Sequence, residues 1–219
     1  MVAGRLKAVR ARIEAAAASV GRDPGDVTLV AVSKGQPLEL IRAAYEAGHR
    51  DFGENRAADL AEKAGALPVD IRWHMVGHLQ RNKVKLARPV VVLLHSLDSP
   101  RTATAWAKGG HAPPVLIEVN VAGEPQKNGV PPTAAGELID KATEAGLVVR
   151  GLMTLPPLTA DPENARPWVV ALAQLRAELA RDRPELVDLS MGMTDDFEVA
   201  VAEGATMLRI GTAIFGPRN

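Results

Sequence analysis

Eight short apolar runs alternate with helix-like segments from one end of the chain to the other, and this alternation constrains the fold more than any other feature. The runs fall at 27–33, 51–53, 71–76, 90–95, 114–120, 147–152, 187–190 and 206–210. Helical patterns lie between them, at about 37–47, 56–64, 79–87, 100–108, 133–145, 167–181 and 196–203. Consecutive strands joined by helices must pair in parallel, because only a crossover of that length returns the chain to the same edge. Eight such units predict one α/β domain over residues 1–219, a (β/α)8 TIM barrel. The rival is an open doubly wound sheet, and no G-x-G-x-x-G follows the first strand to support it. An extra N-terminal helix is expected over Met1 to Val20, where Leu6, Val9, Ile13 and Ala17 share one face.

Local signals agree with these boundaries. Pro37 suits the first position of a helix and Gly48 its end. Ser99 before Pro100 reads as an N-cap, and Asp195 with Glu198 three residues later gives an acidic capping-box pattern. Asp161-Pro162 is expected to open a preliminary turn before the long helix.

Composition narrows the function. Lys plus Arg equals Asp plus Glu at 26 each, so nothing points to nucleic acid or an anionic membrane. The chain has no cysteine, which removes thiolate catalysis and disulfides and fits a cytoplasmic location. No apolar run is long enough for a transmembrane helix.

Chemistry concentrates where strands end. Lys34 closes the run Val27–Val32 through Ser33, at the mouth of the expected barrel. An amine placed there can attack a carbonyl. After the last two strands come Ser190-Met191-Gly192-Met193-Thr194 and Arg209-Ile210-Gly211-Thr212. Loops at these positions in a barrel often hold a phosphate, with Gly admitting an anion to the backbone and hydroxyls donating to it. Ser190, Gly211 and Thr212 are the candidates; tight turns with capping residues would leave the same pattern. Together with Lys34 they describe a phosphorylated aldehyde held at both ends. Arg209, flanked by apolar residues, needs an acceptor if it points inward. Asn55, after Gly53-Glu54, suits either a ligand contact or an N-cap. His74 and His78 lie four apart, but Gly77 between them marks a turn rather than a helical metal site. Lys127 reads as solvated.

These motifs, in order, resemble one family over essentially the whole chain. Val-Ser-Lys, Phe52-Gly53-Glu54-Asn55, Trp73 to Lys83, Lys127-Asn128-Gly129, Gly151-Leu152-Met153 and the two C-terminal blocks are similar to the pyridoxal phosphate homeostasis proteins. Members of that family look like the N-terminal barrel domain of alanine racemase. The resemblance implies pyridoxal 5′-phosphate (PLP) as cofactor, bound to Lys34 as a Schiff base. It further implies that Ser190, Gly211 and Thr212 hold the phosphate, that Arg209 faces the pyridine nitrogen, and that Asn55 lines the pocket. Arg56 stands where the family often has tyrosine.

A cation beside the ring nitrogen disfavours its protonation and weakens the ring as an electron sink. The one tyrosine, Tyr45, falls inside a helix, away from any position where it could serve as the racemase base. The expected function is therefore a cytoplasmic, monomeric carrier or buffer of PLP in vitamin B6 and amino-acid homeostasis, with PLP-dependent apoenzymes as potential recipients. Two alternatives remain open: a PLP-dependent racemase or related α-carbon enzyme using His74 or His78, and a Schiff-base aldolase acting on a sugar phosphate.

Overall fold

Alternating strand residues face opposite sides of a sheet, and here both sides are covered, so the strands read as nearly continuous apolar runs. In the computed structural model, which describes residues 1–217, these runs form β1 (Thr28–Val32), β2 (Asp51–Glu54), β3 (Arg72–Met75) and β4 (Val91–Leu97). They continue as β5 (Val115–Glu118), β6 (Val149–Met153), β7 (Asp188–Ser190) and β8 (Met207–Ile210). All pair in parallel in sequence order, and β8 returns to β1 to close the barrel. The expected (β/α)8 architecture is therefore present. Arg218 and Asn219 of the expected domain lie outside the described residues.

The helices are α1 (Val2–Ser19), α2 (Leu38–Glu46), α3 (Ala57–Ala66), α4 (Val84–Ala87) and α5 (Pro100–Ala107). They are followed by α6 (Ala135–Glu144), α7 (Arg166–Leu179), α8 (Phe197–Ala202) and α9 (Thr212–Phe215). The extra N-terminal helix buries Val2, Leu6, Val9, Ile13 and Ala17, the face its periodicity predicted. It packs on α2, α8 and α9, over the seam where the barrel closes. Ser99 caps α5 by accepting from the Thr102 backbone N–H at 3.3 Å, and Asp161 caps a 3-10 turn before α7.

Two local expectations are corrected. The helix expected at 79–87 shrinks to a 3-10 turn, Arg81–Lys83, and the single turn α4. Residues 80–83 are all exposed, and Val84 and Ala87 alone are buried in the turn that remains, too little packing to offset the cost of a longer helix. The capping box at Asp195 does not form. α8 starts after Asp196, whose carboxylate instead accepts from the Met193 N–H at 2.5 Å.

Apolar side chains divide into two cores. The larger lies between barrel and helices and includes Leu29, Phe52, Trp73 and Leu208. The smaller comprises Leu93, Leu116, Met153 and Met207, on β4, β5, β6 and β8, which point into the barrel. The interior is unusually polar for a barrel, whose lumen is commonly filled by Val, Ile and Leu. Asp51, His74, His95, Glu118, Ser190 and Arg209 are all buried.

β6 and β7 approach so closely that a Cβ at Gly151 would lie 1.9 Å from the Asp188 carbonyl oxygen. No side-chain rotation relieves a clash with backbone. Gly151→Ala should cost about 3 kcal/mol or more in denaturant unfolding. An unchanged midpoint would mean the two strands are not packed this tightly.

Candidate functional site

The C-terminal strand ends of the barrel converge on a cavity of about 340 Å³. Lys34 stands on one wall, on the turn that follows β1, and Asn55, Arg209, Gly211 and Thr212 line it as well. Thus five of the six residues singled out in the sequence meet in one place. Lys34 is exposed at the mouth and is the one lysine lining the cavity among the described residues.

The turn that presents Lys34 is braced from beneath. Ser33 is buried, and its hydroxyl donates to Glu54 Oε1 at 2.7 Å. The Lys63 ammonium donates to the same carboxylate oxygen at 2.5 Å and to the Ser33 carbonyl at 2.7 Å. Glu54 therefore serves as a strut within the Gly-Glu-Asn motif rather than as a cavity residue. Lys63→Met would leave that carboxylate buried without its counter-charge. The expected loss is about 3–5 kcal/mol in chemical unfolding, and a loss below 1 kcal/mol would show that Glu54 does not depend on the pair.

Asn55 is held against Gly77, where a Cβ would sit 2.4 Å from the Asn55 carbonyl oxygen. Its side-chain Oδ1 is buried and has no partner among the described residues. α9 begins at Thr212, and the Ile214 and Phe215 N–H groups donate to the Gly211 carbonyl at 2.9 Å, so the backbone that faces the cavity here is that of Gly211 and Thr212. Thr194 lies alongside, its hydroxyl 3.5 Å from the Ala213 nitrogen.

Ser190 is placed elsewhere. It is fully buried in β7, and its hydroxyl sits between Arg209, which donates at 2.5 Å, and His95 Nδ1 at 2.8 Å. The hydroxyl that lines the cavity from this loop is Thr194. Strand alternation offered the signal: Asp188 and Ser190 face inward together, so the first free hydroxyl belongs to the loop beyond. His95 was also missed, hidden in the apolar run of β4, although its inward spacing from Leu93 would have placed it in the lumen. Lys127 is tied down rather than solvated, donating to the carbonyls of Leu155 and Pro156 at 3.2 and 3.0 Å. His78 pairs with Asp98 at 2.8 Å.

Arg209 is buried on the cavity floor. One terminal nitrogen donates to Ser190 and the other to the Thr154 carbonyl at 2.6 Å, while Nε has no partner among the described residues. Burial pushes the guanidinium pKa down to about 10, with Asp196 and Glu118 opposing the shift. It remains a cation at neutral pH. Glu118 moves the other way: burial and then the charge of Asp98 raise it to about 7, against opposition from Arg209 and His78.

That shift has a sign for stability. Folded Glu118 keeps its proton to about 7, whereas its ordinary value is 4.5. The unfolded chain binds fewer protons between those values, so this contribution falls as pH rises from 4.5 to 7. His49 opposes it, since burial lowers its pKa from 6.5 to about 4 and its contribution is lost as pH falls through that window. Glu118→Gln should remove the first effect, on the order of 2–3 kcal/mol. Its stability should then rise more steeply from pH 4.5 to 6.5 than that of the wild type. Parallel pH–stability curves would refute the assignment.

A parallel (β/α)8 barrel with an amine at its mouth, sharing one cavity with the hydroxyl residues Thr194 and Thr212 and with Gly211, defines a ligand-holding barrel suited to a phosphorylated carbonyl compound. The chain belongs to the alanine racemase N-terminal domain family, whose model matches residues 5–219. It is 45% identical over 222 residues to the pyridoxal phosphate homeostasis protein of Aquifex aeolicus, covering 98% of this chain and 97% of that one. PipY of Synechococcus elongatus, solved with PLP bound, superposes with a TM-score of 0.83 at 34% identity, over 99% of this chain and all of PipY. Alanine racemase from Corynebacterium glutamicum shares the barrel fold, with a TM-score of 0.77 at 16% identity over 99% of this chain and 61% of the racemase.

Proposed function

We propose that this protein holds PLP at the C-terminal mouth of the barrel, joined to Lys34, and serves as a carrier or buffer in vitamin B6 homeostasis. The observation that carries this reading is the placement of Lys34 in one cavity with Thr194, Gly211 and Thr212. When bound, PLP supplies an aldehyde carbon that an amine attacks reversibly with loss of water. Lys34 provides the amine, and its exposure lets a competing amine reach the same carbon. The hydroxyls of Thr194 and Thr212 and the backbone at Gly211 and Thr212 would hold the phosphate. Asn55 would line the pocket beside the ligand. Ser190 acts through Arg209 rather than on the phosphate.

Arg209 presents a cation at the floor. Facing the pyridine nitrogen, it keeps that nitrogen unprotonated and limits the ring's capacity to stabilise a carbanion. Tyr45, the single tyrosine, donates to Asp70 at 2.7 Å and lines no part of the cavity. Both features favour holding over turnover. The proposed place of action is the cytoplasm, as a monomer that passes PLP to apoenzymes by amine exchange. No helix among the described residues is long and apolar enough to cross a membrane.

Purified protein mixed with PLP should develop an absorbance band that borohydride fixes covalently onto Lys34. Lys34→Ala should lack the band, and Thr194→Val should bind PLP about tenfold more weakly through loss of a hydrogen bond to a charged group. A band of equal strength in Lys34→Ala would sink the proposal, as would robust, Lys34-dependent racemisation of an amino acid.

A further inference from the structure

A chain of buried hydrogen bonds runs from Arg209 across the barrel lumen and down to its N-terminal face. Arg209 donates to Ser190 at 2.5 Å, and Ser190 Oγ lies 2.8 Å from His95 Nδ1. His95 Nε2 is 2.9 Å from His74 Nδ1, and His74 Nε2 is 3.2 Å from Asp51 Oδ1. The Arg72 guanidinium secures the far end, with Nε donating to the same Asp51 oxygen at 2.7 Å. The members come from β8, β7, β4, β3 and β2. Since β4 and β7 are not neighbours in the sheet, the His95–Ser190 contact bridges the lumen directly. We propose that Ser190, His95, His74 and Asp51 are positioning residues, a one-way hydrogen-bond relay with both histidines as Nε2–H tautomers, that fixes Arg209 at the floor of the cavity.

The two ends dictate the direction. A guanidinium has donors and no acceptor, and a carboxylate has acceptors and no donor. Burial favours the proton on the Asp51 carboxyl, but hydrogen bonds from His74 and Arg72 outweigh it and hold the group ionised, well below the usual range. His95 is enclosed, and burial above all, with the Arg209 charge nearby, keeps its ring neutral. A neutral imidazole donates from one nitrogen and accepts at the other. If His95 donated through Nδ1 to Ser190, its Nε2 would have to accept from His74 Nδ1–H. A neutral His74 would then turn a bare Nε2 lone pair toward the Asp51 carboxylate, so that order requires a second proton on His74.

The opposite order leaves no such conflict. Ser190 accepts from Arg209 and donates to His95 Nδ1; His95 Nε2–H donates to His74 Nδ1; His74 Nε2–H donates to Asp51. Every proton is used once. Successive bonds of the same polarity strengthen one another, so Ser190 becomes a better acceptor for Arg209 because its own proton is committed to His95. The relay thereby selects one arrangement of Arg209, with both terminal nitrogens engaged.

The relay itself can be tested without PLP, whereas its purpose rests on the PLP reading above. Nitrogen-15 NMR of the intact chain, histidine-labelled and free of PLP, should show His74 and His95 with pyridine-like Nδ1 and pyrrole-like Nε2. His95 as the Nδ1–H form, or His74 carrying both protons, would overturn the relay. PLP release from His95→Phe, which removes both contacts, should be about tenfold faster than from wild type. His95→Gln, which keeps one donor and one acceptor, should restore most of the difference. Release from His95→Phe at the wild-type rate would refute the positioning role. Should wild type take up no PLP while both tautomers are as assigned, the cofactor reading has failed and the relay stands.

Discussion

Everything in this molecule depends on the ladder between its first and last strands. A parallel sheet with free edges leaves rows of unpaired backbone N–H and C=O groups, and closure alone removes them. Here β1 receives β8 in a four-residue register, Thr28 opposite Met207, Leu29 opposite Leu208, Val30 opposite Arg209 and Ala31 opposite Ile210. That pairing carries Lys34 and the Gly211–Thr212 turn, far apart in sequence, to adjacent strand ends. It also sets Arg209 beneath them. The amine and the donors across the cavity are thus a consequence of closure, and α1 covers the seam from outside.

The lumen shows how a barrel can exchange apolar filling for function. Buried charges and hydroxyls are costly unless paired, and breaking one pair exposes the cost of its partner. Two polar assemblies meet this condition by different means. Beneath Lys34, the Glu54–Lys63 pair with Ser33 is compact and joins neighbouring elements. Across the lumen, Arg209 donates to Ser190 and to the Thr154 carbonyl, with Asp196 and Glu118 as the nearby acidic groups. Both place charge close to the cavity without opening the barrel to water. Small residues make room for them: Gly53 and Gly151 occupy inward positions where β-carbons would meet Val30 and the Asp188 backbone.

Much of this was legible in the chain itself. The count and order of strands, the amphipathic α1, and the clustering of Lys34, Asn55, Arg209, Gly211 and Thr212 follow from apolar periodicity and from reactive residues standing at strand ends. What failed were features decided by a half-turn of backbone. The capping box at Asp195 looked sound, but Asp196 turned its carboxylate back onto the Met193 N–H. Ser190 carried the expected hydroxyl, yet strand alternation turned it into the lumen and left Thr194 on the cavity wall.

The sequence by itself determined the barrel and the kind of ligand it can hold, because local periodicity and turn chemistry act between near neighbours and are written consecutively. Only the tertiary structure decided which polar residues meet. Asp51, His74, His95, Ser190 and Arg209 lie on five strands, and no spacing in the chain announces their contact. Their partnership arises from strand register and barrel curvature, long-range properties that exist only once β8 has found β1.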